Sequence, residues 1–204
     1  MATDEAFWDG MYSEGERVWS GAPNGSLVAE LEGTPAGRAL DVGCGEGADA
    51  IWLARQGWSV TGIDISSVAV QRARDAAASA GVSVDWIHGD PLGTPFDSDS
   101  FDLVSLQYFP LPHQAGKKGV RRLLSTVAPG GTLLMVAHNL TEEHKRQHGH
   151  GEGPDLTRMY EPEEVAELLD DRWIIDTYET RERPNVPEGT PHVDDVILRA
   201  RRAG

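Results

Sequence analysis

Only one cysteine, Cys44, stands in 204 residues, so no disulfide can form within the chain. Long hydrophobic runs are also missing, and nothing approaches the roughly 20 apolar residues that a membrane-spanning helix needs. The opening Met1-Ala2-Thr3-Asp4-Glu5 lacks the basic start and apolar stretch of a secretory leader. Basic charge is scarce: 18 Lys and Arg stand against 33 Asp and Glu, a formal net charge of −15. Proteins that hold nucleic acid draw most of their affinity from phosphate contacts and carry a basic face. The local cluster Lys117-Lys118 with Arg121-Arg122 reads instead as a solvated helix face. These absences leave a cytoplasmic protein with a small-molecule partner, engaging neither nucleic acid nor membrane; they leave its oligomeric state open.

What is present is a core-forming composition, 39% apolar, at a length that fits one compact domain. Apolar runs alternate with helical periods. Arg38–Val42, Trp58–Ile63, Val82–His88, Phe101–Leu106 and Thr132–Ala137 read as strands. Ala48–Gln56, a helix capped by Ser66 and stopped by Gly81, and a helix through Val120, Leu123, Leu124 and Val127 separate them. Alternation of this kind predicts an α/β doubly wound sheet. The ending differs. After a helix started by Pro162, Trp173–Thr180 and Val193–Arg201 follow one another with no helix between, a long antiparallel hairpin. Residues 1–37 precede the first strand. Phe7, Trp8, Tyr12 and Trp19 in that polar stretch need a surface to bury against, so the segment reads as a helix packed on the sheet or as a lid over the site.

The first strand runs straight into Gly43, Cys44, Gly45 and Gly47. Glycines there let the chain turn tightly and let a ligand approach the backbone, while the next helix aims its free N–H groups at it. Asp64 ends the second strand about 20 residues after Gly43, where a carboxylate can take hydrogen bonds from ribose hydroxyls. An adenosine-type cofactor follows. Gly43, Gly45 and Ala48 also satisfy the Gly-x-Gly-x-x-Ala of nicotinamide folds. Two acids argue otherwise. Asp41 precedes the turn, where a dinucleotide fold has an apolar residue and where an acid suits an ammonium or sulfonium ligand. Asp90, after Gly89, ends the third strand, where it can meet an adenine amino group.

With Leu40-Asp41-Val42-Gly43-Cys44-Gly45-Glu46-Gly47, Gly62-Ile63-Asp64-Ile65-Ser66, His88-Gly89-Asp90, Phe101-Asp102-Leu103-Val104 and Leu123–Leu133 in order, the chain resembles the class I S-adenosylmethionine-dependent methyltransferases. The resemblance spans most of residues 38–200. It implies a Rossmann-like seven-stranded sheet, mostly parallel with an antiparallel last strand. It also implies S-adenosylmethionine as methyl donor, with S-adenosylhomocysteine as product. By the family pattern, Gly43, Cys44 and Gly45 line the methionine portion, Asp64 and Ile65 hold ribose and adenine, and Asp90 with Pro91 meets the adenine edge. Gln107 offers its backbone near the methionine ammonium. Residues 1–37 resemble the helical lid of the small-molecule branch related to thiopurine and tellurite-resistance methyltransferases. There an aromatic before a glycine turn covers the cofactor, here Trp19 before Gly21, leaving residues 38–204 as the catalytic domain.

The acceptor is sought beyond the strand ends. Tyr108 and Phe109 follow the fourth strand, with His113 soon after; His138-Asn139 follows the fifth; the segment up to Tyr160 and the lid residues Trp8 and Tyr12 complete the candidates. A thiol acceptor needs no strong base, whereas a hydroxyl or amine calls for one, and His138 or His113 could serve. Gln107-Tyr108-Phe109-Pro110 departs from the Asn/Asp-Pro-Pro-Tyr signature of amino- and glutamine-directed methyltransferases. His144, His148 and His150 lie among glycines without a nearby cysteine, so a loop is expected there and no metal. A nicotinamide-dependent oxidoreductase and a non-catalytic binding protein for the same cofactor remain the alternatives.

Overall fold

The computed structural model describes residues 4–15, 17–141, 155–184 and 193–204. Seven strands form one sheet: β1 (Arg38–Val42), β2 (Ser59–Asp64), β3 (Asp85–His88), β4 (Phe101–Gln107), β5 (Val127–His138), β6 (Trp173–Glu182) and β7 (Asp194–Arg202). Their order is β3-β2-β1-β4-β5-β7-β6. β1 to β5 run parallel, β7 pairs antiparallel with β5, and β6 pairs antiparallel with β7. The strand order reverses between β1 and β4, which opens a crevice at their carboxyl ends.

The helices cover both faces. α2 (Gly25–Glu30) and α3 (Ala48–Arg55) bury Leu27, Leu31, Ala50 and Leu53 against Ala39, Val60, Leu103, Leu134, Val136 and Ile197. On the other face α5 (Gly116–Leu124) and α6 (Pro162–Ala166) bury Val120, Leu123, Leu124 and Val165 against Leu40, Val42, Ile63, Val104, Met135 and Leu198. Strands buried on both sides explain the near-continuous apolar runs of β1, β4 and β5. α4 (Ser67–Ala80) carries Ala69, Ala73 and Ala77 inward. These short side chains let the helix lie so close to the glycine turn that a Cβ on Gly47 would come 2.9 Å from that of Ala73. The Ser66 hydroxyl caps α4 at the Ala69 N–H, and left-handed Gly81 ends it.

Most boundaries fall within one or two residues of the sequence expectation, and two differ by more, with Val127 in a strand rather than on the helix face. β3 starts at Asp85, because the Val82 N–H returns to the Ala77 carbonyl and makes residues 81–82 the closing turn of α4. β5 starts at Val127, with Pro129-Gly130-Gly131 inside it as an irregularity against β4; left-handed Gly130 lets the strand resume. Asp64 lies within β2, at its last position. The β6–β7 pairing confirms the closing hairpin, and β6 is the sheet edge. Among the described residues no helix is long and apolar enough to cross a membrane.

Candidate active site

The turn after β1 is built by backbone. Gly43 and Cys44 both donate their N–H to the Ile63 carbonyl of β2, at 2.8 and 3.0 Å, which folds the chain over the end of the neighbouring strand. Gly43, Gly45 and Gly47 all have positive φ. Asp64 locks the turn: its Oδ2 accepts the Gly45 N–H and its Oδ1 the Ser66 N–H, each at 2.9 Å. Burial raises its pKa, opposed by those same hydrogen bonds. A carboxylate oxygen can accept more than one donor, so Asp64 keeps acceptor capacity toward a ribose.

Asp41 is buried beneath this turn, and its Oδ2 has no hydrogen-bond partner among the described residues. Burial, then the charges of Asp49 and Asp64, push its carboxyl well above the usual range. Gln107 is also buried. Its Nε2 donates to the Ser105 hydroxyl at 3.1 Å, and its Oε1 has no partner among the described residues. Two orphaned buried acceptors at the ends of adjacent strands are costly unless a donor reaches them. A ligand ammonium is such a donor, so the residues present fit the methionine end of S-adenosylmethionine. The Phe109 ring lies so near Gly43 that a Cβ there would sit 2.4 Å from it. Burial, and then Asp41 and Asp64, raise the Cys44 thiol, which makes it a packing residue rather than a nucleophile.

On the adenine side, Ile65 is half-buried and Pro91 buried. Asp90 is exposed. Its Oδ1 accepts the Leu92 N–H at 2.9 Å, and its carbonyl accepts the Gly93 and Thr94 N–H groups, so it shapes the turn it starts. A Cβ on Gly89 would come 3.1 Å from the Thr94 hydroxyl, which leaves that bend narrow.

Residues 4–15 and 17–20 are docked across the turn. α1 (Glu5–Ser13) buries Tyr12, whose hydroxyl lies 2.8 Å from where a Gly45 Cβ would stand and accepts the Trp19 Nε1–H at 3.1 Å. Burial, then the Asp64 charge, raises the Tyr12 phenol far above its ordinary value, so it stays neutral. Trp8 packs near Tyr12, with ring centroids 6.5 Å apart. Residues that sequence reasoning missed hold this segment. Asp9 accepts the Ser66 hydroxyl at 2.6 Å, the Ser67 hydroxyl at 3.0 Å and the Val68 N–H at 3.2 Å. Glu46 accepts the Val18 and Trp19 N–H groups and pairs with Arg72 at 2.8 Å. Glu46 sits inside the glycine motif itself, and that position was its one available signal.

The acceptor candidates fall into two groups. Tyr108 has a left-handed backbone, φ +54°, unusual for a residue with a side chain. Its hydroxyl donates to Asp195 (2.8 Å to Oδ2), and its ring stacks on His138 with centroids 4.2 Å apart. His138 Nδ1 lies 3.8 Å from Asp195 Oδ1, and the Ser26 hydroxyl donates to Asp195 Oδ2 at 2.7 Å. Burial raises the fully buried Asp195, but the nearby His138 imidazole and the hydrogen bonds from Ser26 and Tyr108 outweigh it and hold the acid below its usual range. The second group sits against α6. His113 Nε2 meets Glu164 Oε1 at 3.0 Å and stands edge-on to Tyr160, whose N–H donates to the Leu111 carbonyl. Asn139 donates its backbone N–H to the Asp194 carbonyl. His144, His148 and His150 lie outside the described residues.

A doubly wound sheet of this order, with a glycine turn after β1 and an acid ending β2, is the class I methyltransferase fold. Residues 39–131 match the family described as methyltransferase domain, and this part of the chain is a methyltransferase domain of the class I, S-adenosylmethionine-dependent type. It is 32% identical over 146 residues to ribosomal RNA small subunit methyltransferase C of Alcanivorax borkumensis, covering 68% of this chain and 44% of that one. It is 31% identical over 140 residues to methyltransferase GfsG of Streptomyces halstedii, covering 65% and 47%. The chain thus spans about half the length of the curated relatives it matches. A solved structure described by the conversion of a disulfide bond into a thioacetal group during echinomycin biosynthesis superposes with TM-score 0.77 at 23% identity, covering 98% of this chain and 91% of that one. TehB from Haemophilus influenzae superposes with TM-score 0.67 at 17% identity, covering 88% and 62%. At these identities the structures speak for the fold.

Proposed function

We propose that this chain acts in the cytoplasm, moving the methyl group of S-adenosylmethionine to a small-molecule acceptor, with residues 1–37 as a lid on the domain of residues 38–204. The observation that carries this reading is the buried Asp41 carboxylate oxygen at the glycine turn, which, like the Gln107 oxygen at the end of the adjacent strand, has no hydrogen-bond partner among the described residues. When bound, the cofactor supplies a sulfonium-activated methyl group. Asp41 and Gln107 would hold the ammonium, and the backbone of Gly43, Cys44 and Gly45 would line the methionine. Asp64 would take the ribose, and Ile65, Gly89, Asp90 and Pro91 the adenine. Tyr12, buried against the turn, would exclude water there; Trp19, expected to bury, is 53% exposed and would cover the cofactor once it is bound, and Trp8, Tyr108, Phe109, Asn139 and Tyr160 would orient the acceptor. Orientation and dryness are the main demands of an in-line displacement.

The net charge of −15 supports a small molecule over a polyanion. The ribosomal RNA relative makes RNA the outcome to test against. Calorimetry should show S-adenosylhomocysteine binding in preference to NADH. Methyl transfer should then proceed to members of a panel of phenols, amines and thiols, and not to small-subunit ribosomal RNA. Preferential NADH binding overturns the cofactor reading. Methylated RNA overturns the acceptor reading, and tight cofactor binding without turnover on any acceptor favours a non-catalytic binding protein.

A further inference from the structure

Most backbone N–H groups between Gly43 and Gly47 are already engaged within the chain. Gly43 and Cys44 donate to the Ile63 carbonyl, Gly45 to Asp64 Oδ2 and Gly47 to the Cys44 carbonyl. The Glu46 N–H alone has no partner among the described residues. Asp41 and Asp64 are both buried at this turn. Carboxylates only accept, so they suit the ammonium of an amino-acid group but offer its carboxylate nothing. That carboxylate has two oxygens, and one backbone donor does not satisfy it.

The N-terminal helix brings another donor. Trp8, Asp9 and Tyr12 share one face of α1 by their spacing. Asp9 is fixed at the start of α4, which sets Tyr12 against the glycine turn. Tyr12 is 4% exposed, and its hydroxyl stands 2.8 Å from where a Cβ on Gly45 would lie. Trp19 Nε1 stands 3.7 Å from the same point and donates to the Tyr12 oxygen at 3.1 Å. The Trp19 backbone is held in turn by Glu46, whose Oε2 accepts its N–H at 3.0 Å. The Tyr12 oxygen is thus an acceptor already, while its own proton meets no acceptor among the described residues. Burial and the Asp64 charge keep the phenol neutral, so that proton stays available to donate.

We infer that the Tyr12 hydroxyl donates to the carboxylate of the methionine portion of the cofactor, with Trp19 as its positioning residue, and that this contact makes the site selective for ligands that carry that carboxylate. The inference rests on the proposed S-adenosylmethionine reading. Donation from the indole into the phenol oxygen strengthens the outgoing O–H bond, because linked hydrogen bonds polarise one another. A charged acceptor makes that bond stronger again. Tyr12 would then tie the lid to the ligand itself, beyond excluding water from the turn.

The test uses calorimetry on the full chain with S-adenosylhomocysteine and with its decarboxylated analogue, which keeps the adenosine, the sulfur and the amine. The native chain should prefer S-adenosylhomocysteine. Tyr12→Phe keeps the ring and should weaken S-adenosylhomocysteine about 10- to 100-fold, while the affinity for the decarboxylated analogue stays the same. Trp19→Phe should cause a smaller loss with the same selectivity. By NMR, the Tyr12 hydroxyl proton of the native chain should move downfield and exchange more slowly with S-adenosylhomocysteine but not with the analogue. That measurement needs no variant, so it decides the matter should Tyr12→Phe fail to fold. Equal binding of both ligands by the native chain, an equal loss of both in Tyr12→Phe, or an unmoved hydroxyl proton overturns the inference alone. Binding of neither ligand by the native chain overturns the underlying reading.

Discussion

The Asp9 carboxylate caps the start of a helix that begins 58 residues further on: it takes the Ser66 hydroxyl at 2.6 Å and the Val68 N–H at 3.2 Å. α1 is thereby fixed to α4 by a single side chain, and the positive end of the α4 dipole favours its charge. The Ser66 hydrogen bond is the main cause of the lowered Asp9 pKa; burial opposes it, and the Val68 and Ser67 hydrogen bonds add to it.

Replacing Asp9 by Ala should free α1 while leaving the sheet intact. Loss of a capping carboxylate costs about 1 kcal/mol. Amide exchange should quicken across residues 5–20 and S-adenosylhomocysteine should bind more weakly. Because the folded pKa is below 3.8, the stabilisation is present above that value and lost as pH falls beneath it. Exchange in residues 5–20 that is unchanged in Asp9→Ala refutes the clamp.

Two glycines should respond in opposite directions to Ala. Gly43→Ala puts a Cβ 2.4 Å from the Phe109 ring at φ +71°, so it should lower the melting temperature, with the backbone alone costing about 1–2 kcal/mol. Cofactor affinity should fall at least tenfold. Gly10, inside α1, has nothing within 4 Å of where an alanine methyl group would stand, and Gly10→Ala should stabilise by about 0.5–1 kcal/mol through helix propensity. Thermal melts of both variants decide the matter.

Asp41 makes the free protein pH-sensitive. Burial first, and then Asp49 and Asp64, raise its folded pKa well above 3.8. The folded chain thus holds the proton more tightly than the unfolded one, and this contribution to stability is present below about pH 4 and lost as pH rises through the folded pKa. Asp41→Asn should flatten that decline. A ligand ammonium should expel the proton, so the enthalpy of S-adenosylhomocysteine binding should vary with buffer ionisation heat in the native chain and much less in Asp41→Asn. Equal buffer dependence in the two proteins rejects this account of Asp41.

Local features were legible in the sequence and convergent ones were not. The turn from Gly43 to Gly47, Asp41 before it and Asp64 after it lie within a strand-turn-helix unit and its neighbour strand, so spacing alone places them. The hairpin of β6 and β7 was readable because no helical period separates its strands. Ser26 and Asp195 lie 169 residues apart, and only the packing of α2 over β5 and β7 brings them together. Ser26 lies just inside an ordinary helix start and Asp195 is the second residue of an ordinary strand, so neither bears a local mark. His138 was visible as the end of a buried run, but its stacking on Tyr108 depends on a left-handed residue that no pattern announces. The lid aromatics stood out by composition, whereas Asp9 and Glu46, which hold them, looked like ordinary surface acids.

Ser66 serves two masters at once. Its amide belongs to the carboxylate that locks the glycine turn, and its hydroxyl belongs to the N-terminal helix. On the proposed reading, Ser66 thus joins the carboxylate that would face the ribose to the helix that lies over the turn, so undocking of α1 and loosening of the ribose contact are coupled through one residue.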